Sequence, residues 1–104
     1  MAKRYYKACQ ENELAAGQTR IAEINNRRII LINHDGQIHA LENLCSHDGG
    51  ELGNGKILGS EIECPRHGGR FDIKTGQATR MPAIVEIESF ETKTEGGHIY
   101  VAIP

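Results

Sequence analysis

The 104-residue sequence contains no tryptophan, and its aromatic content stops at two phenylalanines and three tyrosines. Apolar residues make up 38% of the chain, enough for one modest core and little enough that another agent would help to hold the fold. No apolar run approaches the roughly 20 residues that span a bilayer. The N-terminal stretch MAKRYYKACQENELAAG opens with positive charge but has no apolar segment behind it, unlike a secretory leader. The expectation is a cytoplasmic protein with no membrane partner. A charge excess is missing too. Twelve basic against fourteen acidic residues leave a formal net charge of −2 with no basic stripe, which argues against a nucleic-acid partner. Cysteine is scarce and odd in number, at Cys9, Cys45 and Cys64. That count fits poorly with a disulfide framework and points the last two toward metal binding or catalysis.

Glycine, by contrast, occurs twelve times, and strand-like runs rich in Ile, Val and Tyr recur between Gly, Asn and Asp turns. The pattern predicts an all-β fold in a single domain over residues 1–104. TRIAEI and RRIILIN flank Asn25-Asn26, and IILIN runs through His34-Asp35-Gly36 into QIHALEN; such turn residues tolerate the positive φ of tight hairpins. Near the end, IVEIESF alternates Val85 and Ile87 with Glu86 and Glu88, which predicts a strand. Gly96-Gly97 then joins ETKTE to HIYVAI, where Ile99, Val101 and Ile103 share one face. Only ENEL, ahead of Gly17, hints at a helix, and it is one turn long. Cys9, on the first strand, is expected to be a small buried hydrophobe. Residues 43–82 divide the strand-rich parts, with seven glycines from Gly49 to Gly69 and little periodicity. An insertion of loops on a rigid β scaffold is the expected home of a site.

Two short motifs stand inside that insertion: Cys45-Ser46-His47, then sixteen residues, then Cys64-Pro65-Arg66-His67. Cys and His are ligands for zinc or iron, and these spacings keep each pair within reach of one site where the backbone turns back on itself. Gly49-Gly50 and Pro65 with Gly68-Gly69 supply the turning. Equal numbers of Cys and His also suit a tetrahedral structural zinc, a colourless site, so the residues alone leave two metals open. GELGNGK, residues 50–56, matches a phosphate-loop pattern but puts Ile57 where a Ser or Thr would bind Mg²⁺, and no long helix follows. Its glycines are expected to serve turns and close approaches, with Lys56 solvated.

C-x-H followed at this interval by C-x-x-H, with the second motif reading C-P-x-H-G, resembles the Rieske type of iron-sulfur protein. The resemblance implies an antiparallel β-sandwich base carrying a small cluster-binding subdomain of two ligand loops. It also implies one [2Fe-2S] cluster, with Cys45 and Cys64 on one iron and His47 and His67 on the other. Neutral imidazoles leave such a cluster less negative than one held by four thiolates, so an electron is added more easily, at about −150 to +300 mV. High-potential members carry an extra cysteine in each loop and Ser and Tyr hydroxyls beside the sulfur atoms. Gly50, Arg66, Gly69 and Phe71 stand at those positions here, which implies the low end of the range.

With both cluster irons fully ligated by bridging sulfide and protein, the resemblance leaves no open coordination position for substrate chemistry. The expectation is therefore an electron carrier, itself no enzyme. The resemblance implies a monomeric ferredoxin that takes electrons from a flavin-containing reductase and passes them to a non-haem iron oxygenase of the dioxygenase type. A small Rieske-like subunit fixed in a larger oxidoreductase, such as a nitrite reductase, is the alternative.

Overall fold

The computed structural model describes residues 3–46, 49–53 and 55–104. Among them are eleven strands and a single 3₁₀ turn at Glu11–Glu13. Strand β1 (Arg4–Gln10) pairs with β11 (His98–Ile103), which also pairs with β10 (Thr92–Glu95), giving a three-stranded sheet. A four-stranded sheet is ordered β2 (Thr19–Ile24), β3 (Arg27–His34), β4 (Gln37–Glu42) and β9 (Ser89–Phe90). The third sheet, ordered β5 (Lys56–Leu58), β6 (Glu61–Glu63), β7 (Arg70–Asp72) and β8 (Ala78–Arg80), lies wholly within residues 43–82. All pairings are antiparallel.

The hairpin turns form where the turn residues predict them. Asn25 and Asn26 take φ of 51° and 64° between β2 and β3, and Asp35 and Gly36 take 53° and 87° between β3 and β4. Two consecutive positive φ values match the right-handed twist of the flanking strands. Gly96 and Gly97 do the same between β10 and β11.

Strand β3 explains the layering. Ile29, Ile30, Leu31 and Ile32 are all fully buried, so this strand has no solvent face and must be covered on both sides. Ile29 and Leu31 pack with Cys9, Leu14, Ala40, Ile99, Val101 and Ile103, which fill the space between the first two sheets. That is the sandwich base. Ile30 and Ile32 point the other way, joining Leu41, Leu52, Ile62, Phe71, Ile73, Ala83, Ile87 and both site cysteines in a second apolar cluster. Cys9 is buried as expected, and burial pushes its thiol pKa up, away from reactivity.

One expected strand is absent. Residues 84–88 of IVEIESF are not strand; only Ser89 and Phe90 pair with β4. The segment's backbone groups are satisfied singly. Ile87 donates its amide to the carbonyl of Gly76, and the carbonyl of Glu88 accepts from the amide of Glu42. Among the described residues no neighbouring strand runs alongside, and Ile87 is buried while Val85 is exposed.

Candidate metal centre

Cys45 and Cys64 begin two loops built on one backbone pattern. The Cys45 amide donates to the Gly50 carbonyl at 2.6 Å, and the Gly49 amide donates back to the Cys45 carbonyl at 2.8 Å. In the other loop the Cys64 amide donates to the Gly69 carbonyl at 2.7 Å, and the Gly68 amide to the Cys64 carbonyl at 3.2 Å. Gly49 and Gly68 each take a left-handed φ, 75° and 79°, which glycine adopts without steric cost. The recurrence of C-x-x-x-G-G in CSHDGG and CPRHGG is the sequence signal of this matched pair.

The loops rest on the sheets beneath them. Asn43, almost fully buried, accepts the Leu52 amide on its side-chain Oδ1 at 2.9 Å, and its backbone N–H donates to the Arg28 carbonyl, anchoring the first loop to β3. The second loop joins β6 to β7, and Phe71 enters the core from β7 with no exposed surface, in the same apolar cluster as both cysteines. Asp72 then closes the next turn, accepting the amides of Lys74 and Thr75 at 2.8 and 3.0 Å. Gly55 needs its missing Cβ, which would strike the Glu63 carbonyl. The glycines of GELGNGK thus serve turns and close approaches, and Lys56 is exposed at the start of β5.

A third segment borders the site. Gly69 lies so close to residue 83 that a Cβ there would sit 3.0 Å from the amide nitrogen and Cβ of Ala83. The Ser46 hydroxyl donates to the Val85 carbonyl. Residues 81–85 are therefore tied to both loops, and Met81, Ile84 and Val85 present 76, 74 and 59% of their surface to solvent. Sequence reasoning assigned Val85 to a strand and missed this exposed apolar edge.

The donor set is divided by environment. Cys45 and Cys64 have essentially no solvent contact, whereas His67 is exposed. His47, the fourth expected ligand, lies outside the described residues. Two buried thiols on the apolar side and an exposed imidazole suit a sulfur-rich metal group with one protected end and one surface end. Arg70, beside the second loop, is held by Glu63 at 3.1 Å and Glu61 at 3.5 Å. Two carboxylates offset its charge, so it adds little net positive potential to the site.

The Rieske [2Fe-2S] domain family matches residues 4–91. The ferredoxin component of a naphthalene 1,2-dioxygenase system from Pseudomonas aeruginosa is 32% identical, with 97% of each chain covered. The ferredoxin of carbazole 1,9a-dioxygenase from Nocardioides aromaticivorans IC177 superposes with a TM-score of 0.91 at 28% identity, covering 96% of this chain and 98% of the other. A structure described as the complex of reduced oxygenase and oxidized ferredoxin in carbazole 1,9a-dioxygenase holds a further match. There the TM-score is 0.87 at 30% identity, over 94% of this chain and 92% of that one. No helix among the described residues is long and apolar enough to cross a membrane. Matched loops, buried thiols and near full-length similarity converge: the chain belongs to the Rieske [2Fe-2S] domain family.

Proposed function

We propose that this chain is the ferredoxin of a multicomponent dioxygenase-type system, receiving single electrons from a flavin-containing reductase and delivering them to a terminal non-haem iron oxygenase. In this reading Cys45, His47, Cys64 and His67 would hold its [2Fe-2S] cluster, the cysteines serving one iron and the histidines the other. The observation that carries this reading is the contrast between fully buried Cys45 and Cys64 and exposed His67. The chemistry of the group is uptake and release of one electron. The protein's part is to keep the thiolate side dry and to bring the imidazole side to the surface, where a partner approaches. Residues 81–85 extend that surface with apolar side chains beside the exit point.

The low end of the potential range follows from the lining. Gly69 and Phe71 are buried and carry no hydroxyl, so neither donates a hydrogen bond that would stabilise the added negative charge. Voltammetry should place the midpoint in the lower part of the range of about −150 to +300 mV, and a value near its top would overturn this assignment. For the role as carrier, the test is reconstitution with the reductase and oxygenase of the same organism. Turnover that stops when this chain is omitted and returns when it is added supports the shuttle. Isolation in fixed ratio within a larger oxidoreductase, with no exchange, contradicts it in favour of a bound subunit.

A further inference from the structure

Gly50 is the second glycine of the first loop, and its backbone does not explain why it is glycine. Gly49 takes the left-handed φ of that turn; Gly50 is not among the residues with positive φ. Conformation alone would therefore admit a side chain at position 50. A side chain there would have to displace the exposed head group of Arg66. The three atoms nearest to a Cβ built on Gly50 are Cζ, Nη2 and Nε of Arg66, all close enough to overlap it. Arg66 belongs to the other loop, between Cys64 and His67. The equivalent glycine of the second loop, Gly69, is likewise absent from the positive-φ set and is closed over by Ala83. Each loop thus keeps one glycine for its turn and one for a visitor, and the first loop's visitor is the guanidinium of its partner loop.

We propose that Arg66 is a positioning residue, a non-covalent strap that lies across Gly50 and fixes the spacing of the two loops, so setting the orientation of His67 beside it. A planar guanidinium lies flat on a bare peptide in a way that a compact, strongly hydrated ammonium does not. Because Arg66 is next in sequence to His67, holding its head group on the first loop restrains the backbone that carries the imidazole. This proposal rests on reading the loops as cluster loops. Its mechanical part is testable whichever metal they hold.

The test is a double-mutant cycle in the metal-loaded protein as purified, using Gly50→Ala, Arg66→Ala and the pair. Amide exchange followed by mass spectrometry reads peptides covering 43–53 and 64–70, and the loss of visible absorbance under a chelator reads the lifetime of the centre. G50A and R66A should each speed exchange in both loop peptides and shorten that lifetime by about threefold, the size of loss expected for an exposed contact, because the Cβ of G50A acts by displacing the guanidinium. With Arg66 removed, a Cβ at position 50 no longer meets the guanidinium, so the pair should behave as R66A alone. R66K should fail to restore the wild-type values. The electron paramagnetic resonance signal of R66A should broaden as His67 samples more orientations, which a role confined to overall stability would not produce. The proposal is overturned if R66A leaves loop exchange and line width unchanged, or if G50A is as damaging without Arg66 as with it. A zinc-loaded protein that still shows the exchange coupling would sink the cluster reading and leave the strap standing.

Discussion

Cys45 and Cys64 stand at equivalent points of two loops, each giving its amide to the carbonyl of the second loop glycine, Gly50 at 2.6 Å and Gly69 at 2.7 Å. The two thiols are thereby presented from the same local backbone geometry into one apolar cluster. The histidines break the match, since His47 is the third residue of its motif and His67 the fourth.

The glycines of these turns should differ in sensitivity for separate physical reasons. Among the described residues nothing lies within 4 Å of a Cβ added to Gly49 or Gly68, so Gly68→Ala should cost only the left-handed backbone penalty, about 1 kcal/mol. Gly76 combines a φ of 78° with a Cβ that would overlap the Ile87 carbonyl, and Gly76→Ala should cost about 2 to 4 kcal/mol. Urea unfolding of the two variants checks the order. Equal costs would mean that the 76–87 contact is looser than it stands here.

His39 should make the fold sensitive to mild acid. Burial lowers its pKa, and His34 and Lys74 push the same way while Asp72 opposes them. Its Nε2 is buried with no hydrogen-bond partner among the described residues. Below its ordinary value of 6.5 the unfolded chain therefore takes up a proton that the folded chain resists, and stability falls until the pH passes the lowered folded value. The thermal midpoint should drop more between about pH 7.5 and pH 5.5 in the wild type than in His39→Gln. Parallel curves for the two proteins would assign the acid sensitivity elsewhere.

Much of this architecture is legible in the sequence because it is local. Asn25-Asn26, Asp35-Gly36 and Gly96-Gly97 announce their turns through residues that accept positive φ, and C-x-H with C-x-x-H marks out the candidate site through ligand chemistry. The sheet of β5 to β8 is not legible, because its strands are three residues long and alternation needs more repeats than that to show. Val85 misleads for the opposite reason. Its neighbourhood alternates apolar and acidic residues as a strand would, but no strand among the described residues pairs with it. Contacts such as Arg66 over Gly50 and Ala83 against Gly69 join residues distant along the chain and leave no periodic trace.

The exposed apolar edge at Met81, Ile84 and Val85 should matter for partners and not for folding. Each side chain is more than half exposed, so Ile84→Asp or Val85→Asp should leave the thermal midpoint and the redox potential where they are. The same changes should raise the KM of the terminal oxygenase for this ferredoxin by about tenfold, the loss expected when a charge enters an apolar contact centre. Steady-state kinetics with the wild-type oxygenase measures it. Unchanged KM values for both variants would remove residues 81–85 from the contact surface.

The measurement that bears most directly on the whole account is pulsed electron paramagnetic resonance of the dithionite-reduced protein, prepared anaerobically with ¹⁵N-labelled histidine. A reducible [2Fe-2S] signal coupled to two histidine nitrogens is expected, with one coupling lost and the midpoint potential lowered in His67→Cys. Stoichiometric zinc with no reducible signal, or a cluster signal with no histidine coupling, would contradict it.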